Sequence, residues 1–122
     1  MAFYCTVMLT IALELAVWKD RSYEDMASKF FEHFVDISDA MNKMSGGIGL
    51  WDTEDGFYYD QLRFDESRQC KLRLRSMVGL IPLYACLVID DEYVDKLPDF
   101  GKRMDWFLTN RKDLGSKVRI YT

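Results

Sequence analysis

At 122 residues the chain has room for one domain and one modest core. Its mix, 49% hydrophobic and 30% charged, is that of a soluble globular protein with an aromatic excess at 15%. A net charge of −4, with acids and bases interleaved, removes the basic footprint of a nucleic-acid binder and argues against an anionic membrane surface.

The first element predicted is a helix from Ala2 to Trp18. Met1 to Val17 is apolar, but it has no basic leader, contains Glu14 and runs straight into Trp18-Lys19-Asp20-Arg21. It is too short to span a bilayer and has no small-residue cleavage site, so neither a membrane span nor a signal peptide fits. A helix apolar nearly all round belongs to the inside of something large. Ser22, with Asp25 three residues on and Glu24 in the first turn, predicts the start of a second helix. Met26, Phe30, Phe34, Ile37, Met41 and Met44 form its apolar stripe, widened by Ala27 and Phe31. Ser45-Gly46-Gly47 is expected to end it through a left-handed glycine.

The middle of the chain changes period. Gly49-Leu50-Trp51-Asp52-Thr53-Glu54-Asp55-Gly56-Phe57-Tyr58-Tyr59-Asp60 crowds aromatics and acids together. Such a mixture buries poorly unless each polar group finds a partner. It suits a carbohydrate, whose C–H faces stack on aromatic rings and whose hydroxyls donate to carboxylates. Phe57 to Phe64 reads as a strand, Asp65-Glu66-Ser67-Arg68 as a polar turn, and Cys70 to Arg75 as a second strand alternating apolar and basic. A small β-hairpin near 57–75 is therefore expected. Lys71, Arg73 and Arg75 form its outward row, facing acids of the earlier strand.

Ser76 is read as the N-cap of an apolar helix from Met77 to about Ile89, kinked or delayed by Pro82. A final helix is predicted to start at Pro98 and to turn Phe100, Met104, Phe107 and Leu108 inward. The tail after Asp113 has no pattern and its end is expected to be mobile. The fold class is thus mainly all-α, two helical hairpins whose first member is buried and whose second is amphipathic. That alternation fits an arc of an (α/α)6 toroid. A whole toroid needs about twelve helices, more than twice this chain at a mean of about 11–12 residues per helix.

The three cysteines, Cys5, Cys70 and Cys86, have no metal-ligand spacing, and His33 is the only histidine. A zinc site is excluded on that count, and no cofactor is implied. Cys5 and Cys86 lie in apolar runs and read as buried, reduced thiols, which points to the cytoplasm. His33 sits on the polar side of its helix as a surface residue.

Tyr4-Cys5, Ile11-Ala12-Leu13-Glu14-Leu15-Ala16, and Tyr23 through Phe34 carry a family resemblance. It continues through Gly49-Leu50-Trp51-Asp52, Asp55 through Asp60, and Leu74-Arg75-Ser76-Met77-Val78-Gly79-Leu80-Ile81-Pro82-Leu83. It ends with Leu97-Pro98-Asp99-Phe100 and Trp106 through Arg111. Together these resemble the catalytic domain of glycoside hydrolase family 63 and the mannosylglycerate hydrolase-like enzymes, nearly the whole chain being one partial domain of that kind. Lys117 to Thr122 departs from the pattern, as a truncated reading frame would.

The resemblance implies an (α/α)6 barrel and hydrolysis with inversion, by an acid and a base roughly 6.5–9.5 Å apart. In the family the acid lies upstream of the matched region, and the base downstream near a Trp-Arg-Gly-Pro run that this chain lacks. None of the 20 acids takes either role, so no catalytic residue is assigned. What remains is a lining for an oligosaccharide or glycoside: Trp51, Asp52, Tyr59, Asp60 and Arg75. Each has a structural alternative. Trp51 either stacks on a sugar or plugs the hairpin base, and Asp60 either binds hydroxyls or pairs with Arg73 or Arg75. Asp52, Glu54 and Asp55 suit turn chemistry around Gly56. The alternative class is a non-enzymatic helical module that binds a protein or a glycan. A chain of this extent is also expected to expose an apolar face along Ala2–Val17 and Val78–Ile89, and so to oligomerise or to need the remainder of a barrel.

Overall fold

The computed structural model describes residues 1–47, 49–65 and 67–110, without the side chains of 44–47. The chain is mainly helical, with two small sheets. Helix α1, Ala2–Trp18, falls where its apolar run places it. Its last turn closes with the amides of Lys19 and Asp20 donating to the Leu15 carbonyl. Asp20 then builds the link to α2, Tyr23–Gly47. Its carboxylate accepts from the Ser22 amide at 2.9 Å and its carbonyl from the Tyr23 amide at 3.1 Å. The hinge acid is therefore Asp20, where the sequence pointed to Ser22. So short a link makes α1 and α2 neighbours, and they pack along their lengths.

Helix α3, Asp91–Lys96, and helix α4, Pro98–Asn110, complete the helical part. Leu9, Ala12, Leu13 and Ala16 of α1, Ala27, Phe31 and Val35 of α2, and Leu97 and Phe100 form one core. The Phe31 ring meets Phe100 and Phe107 edge-on, at centroid distances of 6.2 and 5.9 Å. Near the end of α1, Arg21 donates to the Lys96 carbonyl at 3.2 Å, and the Lys96 ammonium lies 5.4 Å over the Trp18 ring. Of the inward residues read from the pattern of α4, Phe100 is fully buried, while Met104, Phe107 and Leu108 are half-buried.

Glu24 joins the two ends of this core. It is a buried carboxylate whose Oε1 accepts from the amides of Asp99 and Phe100, both at 2.9 Å. These are unpaired donors of the first turn of α4, so a side chain from α2 caps a helix 75 residues away. Glu24→Gln keeps an acceptor and loses the charge. It is expected to lower stability by about 1 kcal/mol in urea unfolding, and an unchanged midpoint would remove Glu24 as the cap.

The expected helix from Met77 to Ile89 is absent. In its place are two single 3₁₀ turns, Met77–Gly79 and Ile81–Tyr84, followed by irregular chain to Asp90. Pro82 occupies the first turn of the second, and Ser76 stands before the first without a side-chain cap bond. Met77, Leu83, Tyr84 and Val88 are exposed, so no packing surface supports a longer helix here. The second helical hairpin is therefore not formed as such. Cys86, read as buried, is exposed, while Cys5 is buried. His33 lies on the surface as expected. No helix among the described residues is long and apolar enough to cross a membrane. The tail expected to be mobile, and the terminal departure at Lys117–Thr122, lie outside the described residues.

The single hairpin expected near 57–75 is two. Strand β1, Trp51–Asp52, pairs antiparallel with β2, Phe57–Tyr58. Strand β3, Asp60–Arg63, pairs with β4, Gln69–Leu72, in a register running from Asp60 opposite Leu72 to Arg63 opposite Gln69. The predicted strand 57–64 is thus broken at Tyr59, whose amide donates to the Leu50 carbonyl at 3.0 Å. Gly49, at φ 67°, lets the chain leave α2 close to its own backbone. A Cβ there would sit 2.6 Å from the Asn42 carbonyl oxygen.

Candidate functional site

The acid-rich turn between β1 and β2 folds on Asp52. Its Oδ1 accepts from the amides of Glu54 at 3.1 Å and Asp55 at 3.0 Å, which is the local backbone bonding expected of an aspartate before a tight turn. Oδ2 takes the Lys71 ammonium at 3.0 Å, with the Arg73 guanidinium at 3.6 Å. Asp52 is 6% exposed. The Asp55 amide first, and Lys71 next, hold its carboxyl down to about 2 from the ordinary 3.8. The alternating row Lys71, Arg73 and Arg75 does face acids, but they are those of the β1–β2 turn. Arg73 also reaches Glu54 at 3.7 Å, and Arg75 reaches Asp55 at 3.2 Å.

Tyr59 ties this ladder to the chain beyond it. It is 3% exposed. Its hydroxyl donates to Asp55 Oδ2 at 2.8 Å and accepts from Arg75 Nε at 3.3 Å. Those bonds, Tyr59 first and Asp55 after it, raise the pKa of the Arg75 guanidinium above its ordinary value. Tyr59 also lines a cleft of about 180 Å³, together with Met41, Leu50, Tyr58, Asp60, Val78 and Ile81 among others. The cleft is mostly apolar, with one carboxylate, Asp60, in its lining. Asp60 is exposed and has no ion-pair partner among the described residues. The pairing of Asp60 with Arg73 or Arg75 allowed by the sequence is not formed, because both arginines are held at the β1–β2 turn. The Trp51 ring packs edge-on to Tyr58 at 4.8 Å and is half-buried.

The five residues read as a sugar lining thus separate into two groups. Trp51 and Asp60 keep an accessible face or carboxylate. Asp52 and Tyr59 are internal and their polar atoms are engaged, and Arg75 braces them with its guanidinium partly in water. Two neighbours do more than the sequence reading assigned them. Asp55, read for turn chemistry, is also a bridging acceptor for Tyr59 and Arg75. Gly79 allows the 77–84 segment to approach β2 so closely that a Cβ would lie 2.2 Å from Phe57 Cε1 and 2.5 Å from the Tyr58 carbonyl oxygen. The one sequence signal for that approach was a lone glycine in an apolar run before a proline.

No family model matches the chain, and no solved structure matches it. It is similar to the "Uncharacterized protein YMR196W" of Saccharomyces cerevisiae, with 43% identity over 126 aligned positions. That alignment covers 93% of this chain and 11% of the yeast protein, so the chain spans about a tenth of the length of the curated relative it matches.

The site carries an acid dependence. Asp65, in the turn after β3, is also lowered to about 2, by Arg68 foremost and then Ser67. A carboxyl whose folded pKa is depressed stabilises above its unfolded pKa and stops doing so as pH falls through the folded one. The stability contributed by Asp52 and Asp65 is therefore complete above about pH 4 and lost toward pH 2. Asp52→Asn is expected to be less stable than the parent at pH 6 and to approach it as the pH falls to 2. A gap in urea midpoint that stays constant across that range would show that Asp52 makes no charged contact.

Proposed function

We propose that this chain forms part of the carbohydrate-binding wall of a glycosidase-like protein related to glycoside hydrolase family 63, without a hydrolytic centre of its own. The observation that carries the reading is the cleft between Tyr58 and the 77–84 segment. It combines apolar and aromatic lining with one carboxylate, Asp60, that no cation neutralises among the described residues. A pyranose offers matching chemistry, an apolar C–H face and a rim of hydroxyl donors. The motif resemblance supports the same reading, as does the absence from the sequence of the Trp-Arg-Gly-Pro run beside the family's base. On this reading the chain is an arc of an (α/α)6 ring, Tyr58 and Asp60 contact sugar in the cleft, Trp51 stands beside it against Tyr58, and Asp52 and Arg75 hold Tyr59 and the wall rigid.

The second reading is a helical module that binds a glycan or a protein without chemistry. It is favoured by the commitment of Asp52 and Asp55 to structural bonds, which leaves neither of them free to join Asp60 on a ligand. Titration with glucose- and mannose-containing oligosaccharides, followed by tryptophan emission and by release of reducing sugar, tests both. Binding is expected to shift the emission, and Trp51→Phe to abolish the shift although Trp18 and Trp106 remain. Asp60→Asn is expected to weaken binding about tenfold, the loss of one charge-assisted hydrogen bond. Sugar release by the chain itself would overturn the non-hydrolytic assignment. An emission unmoved by any of the sugars would remove carbohydrate as the ligand.

A further inference from the structure

The cleft beside Tyr58 keeps few groups with which to meet a polyhydroxylated ligand. Much of its hydrogen bonding is internal to the wall. The Leu50 amide donates to the Met41 carbonyl at 2.9 Å, the Leu50 carbonyl accepts from the Tyr59 amide at 3.0 Å, and the Gly79 amide donates to the Ser76 carbonyl at 3.2 Å. Tyr58 is paired with Trp51 in the sheet, and Pro82 has no amide hydrogen. The ring of Tyr59 lines the cleft, but its hydroxyl is held by Asp55 and Arg75. Among the described residues, the lining side chains that keep a polar group without a partner are those of Tyr58 and Asp60. The other lining side chains are Met41, Leu50, Val78, Ile81 and Pro82, all apolar.

A hexopyranose carries more hydroxyls than these two groups can meet. Each hydroxyl pressed against Val78 or Ile81 without a partner forfeits its hydrogen bond to water. A methyl or methylene in the same place gains by leaving water instead. At about 180 Å³ the cleft is smaller than the roughly 300–1,000 Å³ of drug-sized sites, which suits one ring with one substituent and not a run of sugars. Asp60 weighs against a pure hydrocarbon, and equally against an apolar protein segment, because either would cover its carboxylate without supplying a donor. Hydroxyls on one side of a ligand and an apolar group on the other satisfy both kinds of lining.

Given the carbohydrate reading above, on which this step rests, we propose that the ligand of the cleft is a pyranoside carrying an apolar group, the methyl of a 6-deoxy sugar or an apolar aglycone. That group packs on Leu50, Val78, Ile81 and Pro82 while the hydroxyls meet Tyr58 and Asp60. The test is titration of the 122-residue chain, by calorimetry and tryptophan emission, with D-glucose and D-mannose, with their 6-deoxy forms and with their hexyl glycosides. At least one of the two apolar sets is expected to bind about tenfold or more tighter than the parent sugars. A gain for the 6-deoxy set assigns the sugar methyl, and a gain for the hexyl set the aglycone. Val78 and Ile81 are 58% and 46% exposed, so a serine there removes little from the core. Ile81→Ser, or Val78→Ser should the first disturb the 81–84 turn, is expected to abolish the gain and leave the parent sugars unchanged. Leu83→Ser, on the same turn but outside the lining, is expected to keep it. Parent sugars that bind as tightly as the apolar ones, or a gain indifferent to Ile81 and Val78, would overturn the proposal and leave the carbohydrate reading standing. Binding of none of these sugars would remove both.

Discussion

Phe100→Ala is expected to destabilise the chain by about 3–5 kcal/mol, with a fall in melting temperature of more than about 10 °C. Phe100 is fully buried, and its ring is seated edge-on against Phe31, which itself meets Phe107. Alanine would remove the piece that closes α4 over the α1–α2 pair and leave a void that neighbours with fixed backbones cannot fill. Leu97 and Leu9, equally buried, stand in the same core. Urea unfolding of parent and variant measures the difference. A loss below about 1 kcal/mol would mean that the core relaxes around the missing ring, contrary to the close packing of protein interiors.

Gly79→Ala is expected to cost about 2–3 kcal/mol and to act on the cleft before the helices. The added methyl would fall 2.2 Å from Phe57 Cε1 and 2.5 Å from the Tyr58 carbonyl oxygen. The phenyl ring can turn away, but the carbonyl belongs to β2, which is paired with β1 through Trp51 opposite Tyr58. The 77–84 segment must therefore retreat from β2 and open the cleft at Tyr58. Far-UV circular dichroism is expected to be nearly unchanged, while near-UV dichroism and Trp51 emission shift. A variant with the parent's near-UV spectrum and stability would show that the segment does not rest on β2.

Much of the helical frame was legible because the sequence states it by several independent signals. The apolar run ending at Trp18 and the proline opening α4 set boundaries that the structure keeps. The turn around Gly56 was legible for the same reason, since Asp52 could satisfy the following amides from its own side chain. The 77–89 segment was not. Continuous apolarity has no period, so it does not distinguish a buried helix from an irregular strand of chain resting on one side. Pro82 then favoured short turns over a long helix. Strand β1 escaped notice because two residues carry no alternation. Once it forms, it moves Asp52 and Asp55 under the basic row, and Asp60 loses the arginines the alternation had offered it. Which acid keeps a free carboxylate was therefore a matter of tertiary pairing.

The Glu24 contact also bears on the order in which the chain becomes stable as it is made. Its partners lie 75 and 76 residues downstream, and the core residues Leu97 and Phe100 arrive with them. After α2 is complete at Gly47, roughly 50 further residues must be added before the lid of the core exists. At about 5–20 residues per second, that is some 3–10 s during which the paired faces of α1 and α2 stay open to water. A contact spanning most of the chain carries a loop-closure entropy that grows with the logarithm of its reach, and it raises the contact order, which slows folding. Acquisition of protease resistance by the nascent chain is therefore expected to coincide with emergence of the first turn of α4.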